Sequence, residues 1–265
     1  MDKVAVFEAY FKEWLKGIKY EIDFWNKLME TGGVCGGSPD VYEMRISKET
    51  PFFLEEEIEN ENPRFCDVGS GPFSNCGYKS KYKDLEIVAV DPLASAYEQL
   101  KRKWNVSSPI TPISGMVEIL NVQFESNQFD IVHMSNALDH CFDPIEGILQ
   151  LLNICKVGGK VILRHNENEA EHAKYKGFHQ WNIHLEDGKF IIWRDDERID
   201  VGEQIKEFAI IEKAEMSCEK VLSSNWTHNK FVIRKIKDVS ISESKYLKCI
   251  VPLFLEEICK LNIES

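Results

Sequence analysis

Residues 65–71, Phe-Cys-Asp-Val-Gly-Ser-Gly, constrain the fold of this chain more than any other segment. A short apolar run ends in an acidic residue and passes directly into two glycines separated by a serine. Glycine lets a buried strand turn sharply and brings bare backbone close to a ligand, and the following helix points its amino terminus at the same place. The segment therefore predicts the first strand of an α/β domain and a site for a nucleotide-like cofactor.

Strands and helices are predicted to alternate after this turn. Strand candidates are residues 65–68, 86–90, 110–113, 129–135 and 160–164, and helix candidates are 93–104 and 143–156, the last beginning at Asp143-Pro144 and ending at Gly158-Gly159. Such alternation indicates crossover units and a parallel sheet. We predict an α/β, Rossmann-like fold with a mostly parallel sheet and helices on both faces.

Two segments lie outside this pattern. Residues 3–30 carry aromatic residues at helical spacing and predict two short amphipathic helices, which form a cap on the core or a lid on the cofactor. Asp187-Gly188 between two apolar runs predicts a β-hairpin. We predict a helical N-terminal cap over residues 1–60 and a Rossmann-like domain over 61–265, with the hairpin inserted at about 172–200.

The carboxyl-terminal part predicts further elements, two strands over 215–223 and 230–236 and a helix over 242–260.

No apolar run reaches the roughly 20 residues that a membrane span needs, and no secretory signal is evident. A net charge of −12 argues against nucleic acid as a partner. An acidic chain suits an enzyme that acts on a small-molecule substrate. None of the eight cysteines forms a CxxC pair, which favours reduced thiols in a cytoplasmic protein.

A second acidic residue strengthens the cofactor hypothesis. The apolar run 87–90 ends in Asp91, at the predicted end of the second strand. A carboxylate there can accept hydrogen bonds from two ribose hydroxyls. It can also cap the following helix, and the two roles are compatible.

Taken together, these motifs resemble those of the class I S-adenosylmethionine-dependent methyltransferases. Residues 67–71 resemble the first motif of the family and Val90-Asp91 the second. Residues 129–140 resemble the fourth strand with its loop, and residues 156–163 resemble the glycine turn into the fifth strand. The resemblance covers roughly residues 64–165.

The resemblance implies S-adenosylmethionine as cofactor and a role for each matching position. Asp67, Gly69, Ser70 and Gly71 are expected around its methionine part, Asp91 at the ribose, and Pro92, Leu93, Met116 and Val117 at the adenine, with Asn136 also contacting the cofactor. Met116 stands where members of the family often have an acid. The adenine is therefore expected to depend on apolar and backbone contacts.

Residues 136–140, 165–170 and 179–182 are also similar to bacterial methyltransferases of surface-polysaccharide sugars. This second similarity implies O-methylation of a sugar or a nucleotide-linked sugar, in polysaccharide or capsule biosynthesis. A sugar hydroxyl reacts poorly while it keeps its proton, so a base with a pKa near neutrality is expected, and histidine fits best.

Ligands of open α/β sheets bind at the carboxyl ends of the strands. His140 or His165 is therefore the predicted base, with Asp139 orienting it, although His140 could simply pack against the cofactor. His179, Asn166 and Arg45 are predicted to bind substrate.

Three alternatives remain open at this point. The polar residues between His165 and His179 could bind a divalent metal, but they contain no HxxxH or HxH pair, so we predict no metal. A nicotinamide-dependent oxidoreductase or epimerase would usually show a GxGxxG turn, whose third glycine is replaced here by Ser74. The chain could also be a non-catalytic cofactor-binding protein. The aromatic N-terminus could serve as the interface of a homodimer.

Overall fold

The computed structural model describes residues 3–32, 49–81, 84–221, 224–239, 241 and 247–260. Its α-helices are α1 (Lys3–Glu30), α2 (Phe52–Glu55), α3 (Ala94–Lys103), α4 (Pro144–Ile154), α5 (Glu169–His172), α6 (Val201–Ile205) and α7 (Leu247–Lys260). Its strands are β1 (Arg64–Val68), β2 (Glu86–Asp91), β3 (Ile113–Ser114), β4 (Phe129–Ser135), β5 (Cys155–Asn166), β6 (Asn182–Glu186), β7 (Lys189–Arg194), β8 (Glu197–Asp200), β9 (Ala209–Val221) and β10 (Ser224–Lys235). Val117–Val122 and Leu138–His140 form short 3₁₀-helices.

A seven-stranded sheet forms the core, with the strand order β3-β2-β1-β4-β5-β10-β9. The first five strands of this order are parallel, and β10 is antiparallel to both of its neighbours. The predicted Rossmann-like, mostly parallel α/β fold is confirmed. Only the third strand is much shorter than expected, because backbone pairing with β2 is limited to Ile113 and Ser114.

The beginning of α4 agrees with the sequence prediction, but its end does not. The Asp143 side chain accepts a hydrogen bond from the Glu146 backbone N–H at 3.1 Å and caps the helix, and Pro144 opens its first turn. The helix ends at Ile154 rather than at Gly158-Gly159. Gly158 instead lies inside β5 at φ +83°, near the place where the pairing between β4 and β5 shifts in register.

The N-terminal segment forms one continuous helix rather than the two that were predicted. The 28 residues of α1 bury one apolar stripe, whose members are Phe11, Trp14, Ile18, Ile22 and Trp25. This stripe packs against α3 and α7, and the packing keeps the helix intact through Gly17. The helix ends just before Gly32, which has φ +64°.

The inserted segment is a three-stranded antiparallel sheet, β6-β7-β8, and not only a hairpin. The predicted hairpin is confirmed, and its turn places Asp187 and Gly188 at φ +48° and +76°. β8 adds the third strand. The small sheet packs on the main one, with the Phe190 and Phe231 rings stacked at 3.8 Å, and thereby anchors the segment between β5 and β6.

The C-terminal elements are two strands and a helix, as predicted, although their bounds differ. β9 and β10 are longer than the two strands expected there, and α7 lies within the predicted final helix. The division into a cap and a main domain stays a prediction. Among the described helices, none is both long and apolar enough to cross a membrane.

Candidate active site

A cavity of about 450 Å³ opens at the carboxyl ends of β1, β2, β4 and β5 and is covered on one side by α1. Among the residues predicted to form the site, those that line this cavity are Gly69, Ser70, Gly71, Asp91, Pro92, Met116, Val117, Asn136, His140, Asn166 and His179. Asp67, Leu93, Asp139 and His165 lie behind the lining. Arg45 lies outside the described residues.

The glycine turn after β1 has the shape that its sequence predicts. Gly69 and Gly71 have φ +69° and +62°, which favours glycine over residues with a side chain. A Cβ at Gly69 would lie 2.5 Å from the Ala137 Cβ, so the turn also packs too tightly for a larger residue. The backbone N–H groups of Gly69 and Ser70 donate to the Val90 carbonyl, which holds the turn against the end of β2.

Asp91 ties the turn to the next helix. Its Oδ2 accepts a hydrogen bond from the Gly71 N–H at 2.9 Å, and its Oδ1 accepts one from the Leu93 N–H at 2.8 Å. Burial, which outweighs these two donors, raises the pKa of Asp91 to about 7. Leu93 itself packs in the core and contributes its backbone N–H.

Asp67 supports the turn from below. It is buried, and its Oδ1 lies 2.7 Å from Nδ1 of His133 on β4. Sγ of Cys76 lies 3.2 Å from the same nitrogen. Asp67 was predicted to surround the cofactor, but its described hydrogen bond is to this buried histidine.

Asp139, His140 and His179 form a compact group at the edge of the cavity. Nδ1 of His179 lies 2.7 Å from Oδ2 of Asp139 and 3.2 Å from Nε2 of His140. Burial would raise the pKa of Asp139, but the charges of His140 and His179 and the hydrogen bond from His179 lower it to about 2. The short 3₁₀-helix after β4 brings Asp139 and His140 to the site, and the segment before β6 brings His179.

The two histidines of this group differ in charge. Burial disfavours the cationic form of His179, but its hydrogen bond to Asp139 outweighs burial and raises the pKa to about 9. In His140, burial dominates and lowers the pKa below its usual value. At neutral pH the group therefore contains an Asp139–His179 ion pair beside a neutral His140.

His165, the other predicted base, is buried in β5 and lies outside the cavity lining. Neither of its ring nitrogens has a hydrogen-bond partner among the described residues. Burial lowers its pKa to about 3, so it is neutral at physiological pH. The alternation of side chains along a strand explains this difference, because a residue at the end of β5 need not face the site.

Two asparagines join the ends of β4 and β5. Asn136, at φ +46°, accepts a hydrogen bond through Oδ1 from the Asn166 N–H at 2.9 Å. Nδ2 of Asn166 donates to Oε2 of Glu169 at 2.7 Å. Both asparagines line the cavity, and their roles as a cofactor contact for Asn136 and a substrate contact for Asn166 stay predictions.

The comparisons with known proteins agree with this geometry. Residues 66–163 match the methyltransferase domain family. An uncharacterized methyltransferase of Schizosaccharomyces pombe is 25% identical over 143 residues, which are 51% of this chain and 51% of the relative. The chain thus matches about half the length of that curated relative.

Two solved structures illustrate the likeness in fold. The [4+2]-cyclase SpnF is 12% identical, with a TM-score of 0.52 over 84% of this chain and 95% of that protein. A methyltransferase described as SAM-dependent from Methanosarcina mazei is 14% identical, with a TM-score of 0.44 over 72% of this chain and all of that protein. At 12% identity the likeness to the cyclase shows the fold alone.

Residues 66–163 form a class I S-adenosylmethionine-dependent methyltransferase domain. S-adenosylmethionine is therefore its cofactor, as the resemblance of residues 67–71 and Val90-Asp91 to the family implied. The cavity fits this group, because it combines the glycine backbone of the turn with the buried Asp91 carboxyl and a lining whose described residues include carboxylates but neither Lys nor Arg.

One acid of the methyltransferase domain lines the cavity but was not among the predicted site residues. Glu118 lies two positions after Met116 and lines the same cavity, and its Oε1 accepts a hydrogen bond from the Phe142 N–H at 3.0 Å. Burial raises the pKa of Glu118 to about 8. The sequence contained this acid, but the 3₁₀ turn at Val117–Val122 decides which side chain faces the cavity.

The aromatic wall of the cavity comes largely from α1, whose segment was predicted to form a cap on the core or a lid on the cofactor. Trp14, Tyr20, Phe24 and Trp25 of α1 line it together with Phe178. Trp14 stacks on Phe178 at 4.6 Å, and Phe178 lies 5.7 Å from the His140 ring. The aromatic spacing in residues 3–30 was the available signal, and α1 is both a cap and a wall of the site.

A close contact between two glycines joins α1 to the segment that carries His179. A Cβ at Gly17 would lie 2.4 Å from Cδ1 of Phe178 and 2.8 Å from the backbone of Gly177. Gly177, at φ +64°, faces the Tyr20 ring in the same way. Small residues at this crossing let α1 approach the catalytic side of the cavity.

Two groups among the described residues have donor atoms close enough together to suit a metal ion. These are Asp139, His140 and His179 at the cavity, and Asp67, Cys76 and His133 beneath the glycine turn. In each group, hydrogen-bonding distances of 2.7 Å already join a histidine to an aspartate. A metal-free site stays a prediction.

Proposed function

We propose that this chain is a methyltransferase that transfers the methyl group of S-adenosylmethionine to a hydroxyl of a small-molecule acceptor, a sugar. The observation that carries the proposal is the group of Asp139, His140 and His179 at the edge of the cofactor cavity. It offers a neutral base beside an ion pair, at the strand ends where α/β folds bind their ligands.

The cofactor half of the cavity is assigned to the glycine turn and β2. When bound, S-adenosylmethionine supplies a methyl group activated by its sulfonium. Asp91 would hold the ribose, while Met116 and Val117 would contact the adenine. Glu118, whose raised pKa leaves it protonated at pH 7, can both donate and accept hydrogen bonds at the adenine edge.

His140 is the proposed base. Its lowered pKa keeps the imidazole neutral, so the ring can accept the proton of the acceptor hydroxyl as the methyl group moves to oxygen. Asp139 balances the positive charge that forms on His140. His179 stays paired with Asp139 and orients it, and the aromatic wall excludes water from the reacting groups.

The lining favours an uncharged sugar as acceptor. Aromatic rings can stack on the apolar face of a sugar, and Asn166 and Glu169 offer partners for its hydroxyls. A nucleotide-linked sugar carries a diphosphate, for which the described lining provides neither Lys nor Arg. A nucleotide-linked acceptor therefore needs a cation such as Arg45 to bind its diphosphate. Methylation of such a sugar would place the enzyme in surface-polysaccharide or capsule biosynthesis, which is part of the same proposal.

An acceptor screen tests the proposal. Purified protein is incubated with S-adenosylmethionine and four sets of acceptors, which are free sugars, methyl glycosides, sugar phosphates and nucleotide-linked sugars. Mass spectrometry then detects products with one added methyl group. We expect methylation of neutral sugars on oxygen. Because no metal is predicted, the activity should persist in excess chelator. The absence of any O-methylated sugar across the four sets would contradict the proposed reaction.

A binding test separates the two alternative classes. S-adenosylmethionine or S-adenosylhomocysteine should raise the melting temperature, and NAD should not. Stabilisation by NAD alone would favour the oxidoreductase class. Cofactor binding without any methylated product across the screen would favour a non-catalytic protein.

A further inference from the structure

A carboxylate from α1 lies inside the cavity beside the glycine turn. Glu21 lines the cavity, and its Oε1 accepts a hydrogen bond from Nε1 of Trp25 at 2.6 Å. The Trp25 ring covers the turn, because a Cβ at Gly71 would lie only 3.2 Å from it. One side chain thus fixes the position of Glu21 relative to the cofactor-binding backbone.

Glu21 differs from three other acids of its helix. Glu13, Asp23 and Glu30 each pair with a lysine of α1 on the exposed face. Within the described part of the chain, Glu21 has no such pair and faces a cavity whose lining contains neither Lys nor Arg. A partly buried carboxylate without a counter-ion favours a positively charged ligand.

The charge of Glu21 acts on both halves of the site. It affects Asp91 on the cofactor side, and it affects His140 and His179 on the acceptor side. The cofactor's sulfur is bonded both to the ribosyl group and to the methyl group that moves to the acceptor. The sulfonium must therefore lie between the ribose acid and the base, in the region that Glu21 faces.

We propose that Glu21 binds the sulfonium cation of S-adenosylmethionine and makes the enzyme prefer this cofactor over S-adenosylhomocysteine. The inference rests on the proposed function. Methyl transfer removes the positive charge from sulfur, so the attraction to Glu21 is lost in the product. Because that charge already diminishes in the transition state, Glu21 favours cofactor binding and product exchange and does not accelerate the chemical step.

Isothermal titration with both ligands tests the proposal. Wild type, Glu21→Gln and Glu13→Gln are titrated separately with S-adenosylmethionine and with S-adenosylhomocysteine. We expect Glu21→Gln to raise the Kd for S-adenosylmethionine about tenfold, the scale of a charged interaction, and to leave the Kd for S-adenosylhomocysteine within about twofold. Glu13→Gln, a matched change on the exposed face of α1, should change neither Kd.

Each other outcome has a distinct meaning. An equal rise in both Kd values would show that Glu21 holds a group common to both ligands, such as the ammonium, and would overturn the proposal. Unchanged Kd values would also overturn it. If wild type binds neither ligand, the proposed function itself fails, whatever Glu21 does. Circular dichroism and the melting temperature check that both variants fold. In Glu21→Gln, KM for S-adenosylmethionine should rise without a fall in kcat.

Discussion

Nδ1 of His179 lies 2.7 Å from Oδ2 of Asp139, although the two residues are 40 positions apart in the chain. The backbone N–H groups of Gln180 and Trp181 also donate to the Asp139 carbonyl, so this contact is fixed by main chain as well as side chain. The inserted sheet follows directly at Asn182. Its packing against β10 therefore helps to determine where His179 meets Asp139 in the proposed catalytic group.

Asp139→Asn tests the catalytic group. The amide keeps the size of the side chain but cannot balance a positive charge on His140, so kcat/KM should fall by about 10²–10⁴-fold. The Kd for S-adenosylmethionine should change little, since Asp139 lies behind the cavity lining. Steady-state rates and calorimetry measure the two effects. Asp196→Asn, on the exposed β7–β8 turn, is the control, and an active Asp139→Asn enzyme would disprove the assignment.

The pH profile distinguishes the two histidines. A base must be unprotonated, and His140 has a pKa lowered by burial, against the opposing charge of Asp139. The rate should therefore rise with pH below about 6.5 and be flat by pH 7. His140→Gln should abolish this rising limb. A limb centred near pH 9 would instead identify His179, whose pKa is about 9, as the base.

Asp91→Ala tests the cofactor half of the site. The substitution removes the acceptor for the Gly71 and Leu93 N–H groups as well as the proposed ribose partner. Binding of S-adenosylmethionine should weaken by about 1–3 kcal/mol, the cost of losing a buried charged hydrogen bond. Calorimetry gives the value, with Glu86→Ala, an exposed change in the same strand, as control. If wild type and Asp91→Ala bound S-adenosylmethionine with equal affinity, Asp91 would not be a cofactor-binding residue.

Gly17→Ala tests the contact between α1 and the His179 segment. Alanine would normally stabilise the interior of a helix by about 1 kcal/mol. Here its Cβ would collide with Phe178 and the Gly177 backbone, so we expect a net loss of about 1–2 kcal/mol and a lower melting temperature. Lower kcat/KM should accompany it. A rise in melting temperature would show that α1 does not pack this closely against Gly177 and Phe178.

Glu57→Gln tests a buried ion cluster remote from the cavity. Burial would raise the Glu57 pKa, but hydrogen bonds from Lys213, Lys230 and Lys160 lower it to about 2. Lys160 and Lys230 keep their pairs with Glu59 and Glu56, but removing the buried charge that all three lysines share should still cost about 3 kcal/mol in urea unfolding at pH 7. Since the pKa is depressed, the contribution is present above pH 4.5 and is lost as pH falls toward 2. An unchanged urea midpoint would contradict this role.

The sequence by itself determined the framework of this protein. The alternation of apolar runs with helical segments, and the glycine turn before Asp91, specify the parallel sheet and the cofactor end of the cavity, because strand periodicity and positive φ are properties of short segments. Most of the residues that were predicted to contact the cofactor line the cavity.

Tertiary structure decided the rest, because contacts between distant segments leave no local pattern. Only packing shows that His179 rather than His165 joins Asp139, that Glu118 faces the cavity two positions after Met116, and that the two predicted N-terminal helices are one. The role of α1 as a wall of the site depends on Gly17 meeting Gly177. Two small residues 160 positions apart could not be paired from the sequence.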